Sequence, residues 1–278
     1  MAALRLAASR ARAPLLARMD ADDVALPRRL ERQWALLRRR PELAACGTGV
    51  EYVPEAEVGP GYRRYQRWLD GLHEPEELRR DLFVECPVAH PTLVVRRAAY
   101  RALGGYRDRG WPEDYDLVLR LHRAGMRAAN VPEVLLRWRL RPDSLSRTSE
   151  SYSPEAFRRC KAHFLAAGFL PEDRRPVVWG AGSVGKPLAR ALRDAGRPPV
   201  AFVDLDPRKI GQRIHGLPVW SPEEFERRFP PPGAPGTEGD GGRPFALAAV
   251  GSEGARAEIR SWLQGAGWRE PRDFRALA

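Results

Sequence analysis

Three of the four residues at positions 20–23 are aspartates: Asp20, Asp22 and Asp23. Alternate residues of an extended segment point the same way, so the carboxylates of Asp20 and Asp22 share a face. Mg²⁺ and Mn²⁺ prefer carboxylate oxygens and leave coordination positions for phosphate oxygens, which suits this pair to a metal-bridged nucleotide diphosphate. The segment also lies just ahead of a predicted helix, where Asp22 or Asp23 would serve as an N-cap. The spacing alone does not decide between the two interpretations.

A second acidic pair, Glu113 and Asp114, follows Trp111 and Pro112 at the start of a predicted amphipathic helix. The N-terminus of a helix keeps a carboxylate ionised, and a general base must be ionised before it takes a hydroxyl proton. The alternative interpretation is a capping box with a solvated first turn. The pair is therefore a candidate catalytic base or a helix start.

The third motif contains Gly180, Gly182 and Gly185 between a predicted strand and a predicted helix. Asp204 follows Gly185 by 19 residues, at the end of the next predicted strand. This spacing matches the dinucleotide-binding fingerprint, in which the acid takes the ribose hydroxyls. Alternatively, the glycines serve only a tight turn and close helix packing. A P-loop is excluded because Pro187 replaces the hydroxyl residue that would bind magnesium.

Hydrophobic periodicity predicts the elements that must position these residues. Leu26, Leu30, Trp34 and Leu37 recur at helical spacing, so residues 22–40 are predicted to be an amphipathic helix. After a polar passage around residues 141–175, strands alternate with helices, which indicates parallel βαβ units. Predicted strands lie at residues 43–53, 129–141, 174–180, 198–205 and 245–251.

The composition excludes several classes of protein. The 47 basic and 36 acidic residues give a net charge of +11, but the charge is spread over both halves, so we expect no nucleic-acid partner. Arginines interrupt every apolar run before it reaches the ~18 residues of a transmembrane helix, so no transmembrane segment is expected. The three cysteines are far apart, which fits neither a disulfide framework nor a zinc site. The expected location is the cytoplasm, either free or peripheral to the inner face of the membrane.

The first half resembles the family 2 glycosyltransferases of bacteria, which have the GT-A fold. The matching segments begin ARMDADDVALPRRL, HPTLVVRRAAY and PEDYDLVLRLHRAG, and they span roughly residues 5–148. The resemblance implies that Asp20 and Asp22 bind Mg²⁺ or Mn²⁺ with a nucleotide-sugar donor. It implies that Asp114, with Glu113 beside it, is the base for an inverting transfer to the hydroxyl of a polysaccharide or glycan acceptor.

The resemblance also sets expectations for neighbouring residues and for the missing part of the domain. His90, Trp111 and Arg139 fall in segments that border the donor or acceptor in relatives, although structural roles are equally open. Family members open with a βαβ half ahead of the Asp-x-Asp, whereas 19 residues precede Asp20 here. We therefore expect a GT-A-like domain that lacks its first half and most of its nucleotide pocket, which leaves the activity of the chain in doubt.

The second half resembles a small Rossmann-like domain. The fold class is accordingly α/β, with an incomplete GT-A-like domain and a small Rossmann-like parallel-sheet domain. The expected boundaries are residues 1–150, a helical linker at 151–172 and a second domain at 173–278, with a disordered insertion at 230–244. The second domain is a candidate NAD(P) site through Gly180, Gly182, Gly185 and Asp204. Two other functions therefore stay open: an NAD(P)-binding oxidoreductase and a non-catalytic binding module.

Overall fold

The computed structural model describes residues 1–230, 242–252 and 254–278. Most of the insertion expected at 230–244 lies outside the described residues. The chain forms two compact units. Unit 1 consists of Met1–Leu82 and Cys86–Phe157, and unit 2 consists of Phe83–Glu85 and Arg158–Ala278.

Unit 1 is built on a mixed five-stranded sheet. Its helices are α1 (Ala2–Arg10), α2 (Arg29–Arg39), α3 (Pro60–Leu69), α4 (Pro75–Arg80), α5 (Arg97–Ala102), α6 (Glu113–Arg123) and α7 (Leu145–Thr148). Its strands are β1 (Leu15–Ala17), β2 (Val24–Ala25), β3 (Leu43–Val53), β4 (Val94–Arg96) and β5 (Arg127–Arg139). The strand order is β1-β4-β3-β5-β2, with β3 and β5 parallel and the other neighbours antiparallel.

The predicted strand at 43–53 is confirmed as β3, which lies in the middle of this sheet. Its first eight residues are all buried, as expected for a strand covered on both faces. Apolar clusters on its two halves contain Leu43 and Cys46 in one case and Val50 and Tyr52 in the other. The core of unit 1 is thus assembled around β3 and β5.

The buried face of helix α2 shares only Leu37 with the apolar spacing that predicted the helix. The side chains of Arg29, Gln33 and Leu37 are buried, whereas Leu30 is 57% exposed and Trp34 is 50% exposed. Leu30 and Trp34, although they belong to the apolar spacing that predicted the helix, therefore lie outside the core. The buried face carries two polar residues because these side chains hydrogen-bond to backbone carbonyls of neighbouring segments.

Unit 2 contains a six-stranded sheet flanked by helices. Its helices are α8 (Pro154–Phe164, which begins in unit 1), α9 (Gly185–Asp194), α10 (Pro222–Arg228) and α11 (Ala255–Gly265). Its strands are β6 (Pro176–Trp179), β7 (Ala201–Val203), β8 (Arg213–Ile214), β9 (Leu217–Trp220), β10 (Phe245–Ala248) and β11 (Phe274–Ala276).

The strand order of unit 2 is β11-β10-β6-β7-β9-β8, and every pair except β8/β9 is parallel. The five parallel strands therefore follow the 3-2-1-4-5 order of a doubly wound nucleotide-binding sheet. The sequence predicted β6, β7 and β10 but not β8, β9 or β11. The three missed strands are two to four residues long, and Pro218 and Arg275 interrupt their apolar pattern.

The short segment Phe83–Glu85 is packed into unit 2. The Phe83 ring lies edge-on to Phe169, with 5.0 Å between ring centroids. The half-buried Lys161 donates hydrogen bonds to the carbonyls of Val84 at 2.9 Å and Leu277 at 3.0 Å. Within the described ranges, no helix is long and apolar enough to cross a membrane.

Candidate functional site

Asp20 and Asp22 lie in the turn that follows β1. The carboxylate of Asp20 accepts a hydrogen bond from Arg18 Nη1 at 2.6 Å, and Asp22 Oδ2 lies 3.8 Å from Arg141 Nη1. Both side chains are more than a third exposed. Helix α2 begins only at Arg29 and has no side-chain cap, so the N-cap interpretation of Asp22 and Asp23 is wrong.

Asp23 connects this turn to the end of β5. Its Oδ1 accepts a hydrogen bond from the backbone N–H of Arg139 at 2.8 Å. Its Oδ2 is buried without a hydrogen-bond partner among the described residues. Burial raises the pKa of Asp23 to about 6. The hydrogen bond from Arg139 lowers this pKa, whereas the negative charges of Asp20 and Asp22 raise it. Asp23 therefore acts as a structural link between the two segments.

The donor set of Asp20 and Asp22 fits a hard divalent cation. Exposed carboxylates are suitable ligands, and magnesium sites commonly use one or two carboxylates together with substrate phosphates. Among the described residues no group of three His, Cys, Asp or Glu side chains could hold a metal ion. The remaining coordination positions would thus fall to phosphate oxygens and water.

Glu113 and Asp114 occupy the first turn of α6. The N-cap residue is Pro112 and makes no side-chain hydrogen bond, so the capping-box interpretation is wrong. Glu113 Oε2 accepts a hydrogen bond from the Tyr152 hydroxyl at 3.0 Å. Asp114 Oδ2 lies 4.0 Å from His90 Nδ1, and its side chain is 15% exposed. Asp114 therefore keeps access to solvent beside a buried histidine.

His90 joins Asp114 to Tyr106. The Nε2 atom of His90 is 2.8 Å from the Tyr106 hydroxyl. Burial lowers the pKa of His90 well below its usual value, and the charge of Arg18 lowers it further. The imidazole is consequently neutral near pH 7.

Arg18 links the two acidic pairs electrostatically. Its guanidinium binds Asp20, and its positive charge also acts on the pKa values of His90, Tyr106 and Tyr152. Those three residues are the ones that face Glu113 and Asp114. Arg18 thus binds one member of the Asp-x-Asp turn and acts on residues that contact Glu113 or Asp114, and the sequence did not single it out.

Two buried polar residues of α2 hold the segments of this site in place. Arg29 Nη2 donates a hydrogen bond to the carbonyl of Arg18 at 2.6 Å. Gln33 Nε2 donates to the carbonyl of Thr92 at 2.7 Å, in the turn that carries His90. Burial, and then the charge of Arg18, lowers the pKa of Arg29. In the sequence, Arg29 and Gln33 are two polar residues four positions apart on a helix. This pattern is more typical of an exposed helix face, so the sequence gives only a weak indication that they are buried.

A buried ion pair fixes the start of α6. Arg120 Nε donates to Asp116 Oδ2 at 2.6 Å, and the guanidinium also donates to the carbonyls of Leu103 and Gly105. The indole N–H of Trp111 donates to Asp116 Oδ1 at 3.1 Å. Trp111 thus belongs to the scaffold that orients Glu113 and Asp114. Arg139, which the sequence also placed near the donor or acceptor, donates a hydrogen bond through Nε to the carbonyl of Asp22 at 3.0 Å.

The glycine motif forms a second group, within unit 2. Gly180 has a φ of +110°, and a Cβ on Gly185 would lie 1.7 Å from the carbonyl oxygen of Gly180. These two glycines are therefore required by the backbone itself. By contrast, nothing lies within 4 Å of the position that a Cβ on Gly182 would take.

Asp204 is held beside this motif by several hydrogen bonds. Its Oδ2 accepts from the N–H of Ala181 at 2.7 Å and from Lys209 Nζ at 3.1 Å, and its Oδ1 accepts from the N–H of Asp206 at 2.9 Å. Burial alone would raise the pKa of Asp204, but these hydrogen bonds outweigh it and lower the pKa. Asp204 is therefore ionised at neutral pH.

Comparison with known proteins finds similarity to glycosyltransferases in the first half of the chain. The model of glycosyl transferase family 2 matches residues 1–104. The putative glycosyltransferase EpsE of Bacillus subtilis is 36% identical over 155 residues, which cover 55% of this chain and 52% of EpsE. The amylovoran biosynthesis glycosyltransferase AmsE of Erwinia amylovora is 30% identical over 133 residues, which cover 48% of this chain and 47% of AmsE.

A further match is to a different kind of protein. The redox-sensing transcriptional repressor Rex of Bacteroides thetaiotaomicron is 31% identical over 85 residues, which cover 30% of this chain and 37% of the repressor. The chain spans about half the length of the two glycosyltransferases above. The segment that the family model matches, residues 1–104, carries the Asp-x-Asp turn.

Proposed function

We propose that this protein transfers a sugar from a nucleotide-sugar donor to a hydroxyl of a glycan acceptor. The observation that carries the proposal is the position of Asp114, a partly accessible carboxylate at the N-terminus of α6, beside the neutral ring of His90. The charge of Arg18, which binds Asp20, acts on that same ring. This link through Arg18 supports the proposal that the base and the diphosphate-binding turn act on one substrate.

The proposed reaction is a single inverting displacement. Asp114 accepts the proton of the acceptor hydroxyl while the hydroxyl oxygen forms a bond to the anomeric carbon. The bond from that carbon to the nucleotide diphosphate breaks, and the diphosphate leaves with the electron pair. Glu113, fixed by the Tyr152 hydroxyl, places a second negative charge beside the acceptor. This single displacement requires no covalent intermediate between the sugar and the protein.

The exposed carboxylates of Asp20 and Asp22 would hold Mg²⁺ or Mn²⁺. When bound, the cation supplies positive charge to the departing diphosphate. Arg18 and Arg141 neutralise the same carboxylates in the free protein. These arginines are therefore close enough to interact with the phosphates once the carboxylates are engaged. Asp23 keeps the turn attached to β5 throughout.

The test uses the full chain with UDP-GlcNAc and GDP-mannose in the presence of Mn²⁺ or Mg²⁺. We expect Asp22→Asn to lose metal-dependent donor binding. Asp114→Asn is expected to retain donor binding but to release nucleoside diphosphate about 10²–10⁴-fold more slowly, with water or an added glycan as acceptor. The exposed Asp108→Asn is the matched control and should behave as wild type. Absence of both binding and release with either metal would overturn the proposal.

A further inference from the structure

His90 is fixed on one side of its ring by Tyr106. The Nε2 atom lies 2.8 Å from the Tyr106 hydroxyl, and the two buried rings meet edge-on with 5.5 Å between their centroids. Tyr106 is itself anchored, because its N–H donates to the Tyr100 hydroxyl at 3.2 Å and its carbonyl accepts from Arg5 Nε at 3.0 Å. The geometry between the two rings is therefore set by the surrounding backbone.

Either residue could be the donor in the hydrogen bond between His90 and Tyr106. Burial raises the pKa of Tyr106, so its hydroxyl carries a proton at neutral pH, and the neutral imidazole carries one proton on either Nδ1 or Nε2. With the proton on Nε2, the ring would donate, and the hydroxyl hydrogen would have no acceptor among the described residues. A buried hydroxyl without an acceptor is unfavourable. This side of the ring therefore favours a hydroxyl that donates to Nε2.

The other ring nitrogen of His90 lies near a carboxylate. Its Nδ1 atom is 4.0 Å from Asp114 Oδ2. This distance exceeds that of a hydrogen bond, so the interaction is electrostatic. An N–H at Nδ1 is attracted to the negative oxygen, whereas a lone pair at Nδ1 is repelled by it. Both sides of the ring thus favour the same tautomer, with the proton on Nδ1.

We propose that Tyr106 holds His90 in the Nδ1–H tautomer, and that this N–H makes His90 a positioning residue for Asp114. The N–H favours the ionised carboxylate and restricts its orientation. Because Nδ1 carries a proton and Nε2 accepts from Tyr106, the ring has no free site for a second proton. A proton taken by Asp114 therefore passes to water and not to His90. The positioning role rests on the sugar-transfer proposal, whereas the tautomer does not.

The tautomer is measured by NMR on the full chain labelled with ¹⁵N-histidine, without donor or metal. The protein has five histidines, and the resonances of His90 are identified by their loss in His90→Asn. In wild type we expect a protonated Nδ1 and an unprotonated Nε2. Tyr106→Phe removes the hydroxyl and should leave a mixture of both tautomers, so that the two resonances move toward each other.

Tyr100→Phe is the matched control for Tyr106→Phe. It removes a neighbouring hydroxyl that binds the backbone of Tyr106 and not His90, and it should keep the tautomer of wild type. A wild-type ring that is protonated on Nε2 would overturn the proposal. An unchanged tautomer in Tyr106→Phe would also overturn it.

Two substitutions of His90 test the positioning role, because they replace different sides of the ring. The amide of His90→Asn takes the place of Nδ1 and offers an N–H to Asp114, whereas the amide of His90→Gln takes the place of Nε2. In the donor assay, His90→Gln should release nucleoside diphosphate about 10- to 100-fold more slowly, with an unchanged KM for the donor. The acidic limb of its pH profile should move up by about half a pH unit or more, because the carboxylate has lost a favourable dipole.

His90→Asn should stay closer to wild type in both rate and pH profile. Glu113 and Arg18, whose charges act on Tyr106 together with that of Asp114, are unchanged in both variants. Equal losses in the two variants with the pH profile of wild type would make His90 a purely structural residue and overturn the positioning role. If wild type released no diphosphate, the sugar-transfer proposal and the positioning role would both be wrong, and the spectra would still decide the tautomer.

Discussion

His90 is buried against Tyr106 and Asp114, and burial together with the charge of Arg18 holds its pKa well below the usual value. The unfolded chain therefore takes up a proton near pH 6.5 that the folded chain does not. The free energy of unfolding should fall as the pH drops below about 6.5, with a slope that approaches 1.4 kcal/mol per pH unit. His90→Gln removes this contribution, so its stability should depend less on pH over the same range.

Urea unfolding at several pH values between about 5 and 7.5 measures both slopes. Tyr106→Phe is the control, because it removes the hydroxyl at 2.8 Å from the ring but leaves the imidazole in place. This variant should be less stable at every pH and should keep the slope of the wild type. Equal slopes for wild type and His90→Gln would contradict the assignment of a neutral, buried His90.

Two glycines of the glycine motif, Gly182 and Gly185, should respond differently to substitution by alanine. Gly185→Ala places a methyl group 1.7 Å from the carbonyl oxygen of Gly180, which forces α9 away from β6. We expect a loss of about 3 kcal/mol or more in the free energy of unfolding. Gly182→Ala meets no atom within 4 Å and should change stability by less than about 1 kcal/mol. Denaturant midpoints compare the two, and a similar loss in both variants would contradict the packing role of Gly185.

At the scale of elements, α2 connects the turn after β1 with the turn that carries His90. Gln33→Leu would leave the buried carbonyl of Thr92 without the hydrogen bond that it now receives at 2.7 Å. We expect a loss of about 1–3 kcal/mol in stability and slower nucleoside diphosphate release, because the turn at His90–Thr92 is no longer fixed. Urea unfolding and the donor assay measure the two effects.

Trp34→Gln is the matched control for Gln33→Leu, since Trp34 is the next residue on the same helix and is half exposed. It should change stability by less than about 0.5 kcal/mol. Hydrophobicity alone would place Trp34 in the core and Gln33 outside, and would therefore predict a larger loss of stability for Trp34→Gln than for Gln33→Leu. A large loss in Trp34→Gln and none in Gln33→Leu would therefore support that pattern against the structure.

Helix α2 also shows where sequence periodicity fails. Apolar spacing located this helix, but its boundary and its buried face depend on hydrogen bonds from Arg29 and Gln33 to carbonyls that are distant in sequence. The long strand β3 was predictable because its eleven consecutive residues contain a single charged side chain, that of Glu51. The strands β9 and β11 could not be predicted, because each has only three or four residues. These residues form a strand by pairing with β7 and β10, respectively.

The candidate site also contains residues that the sequence could predict and residues that it could not. Carboxylates at Asp20, Asp22 and Asp114 could be selected from the sequence, because their residue types and spacing restrict the chemistry. Arg18 and Tyr106 could not, as their importance comes from charge and contact across the fold. The assignment of roles to these residues remains a prediction until the donor assay is done.

For the whole molecule, the assignment of Phe83–Glu85 to unit 2 has a consequence for stability. Leu82 and Phe83 are adjacent and both fully buried, but they belong to different units. Phe83 packs on Phe169 and under the guanidinium of Arg275, both in unit 2. Adjacent substitutions should therefore destabilise different sheets.

Phe83→Ala should lower the stability of unit 2 by about 3–5 kcal/mol, because it leaves a cavity next to Phe169. Leu82→Ala should lower the stability of unit 1 by about 2–5 kcal/mol for the corresponding reason. Native-state hydrogen exchange resolves the two effects, since amides of β6 and β10 report on unit 2 and amides of β3 and β5 report on unit 1. If each substitution accelerated exchange equally in both sheets, the two units would unfold as one cooperative body, and the separation of their cores would have no energetic meaning.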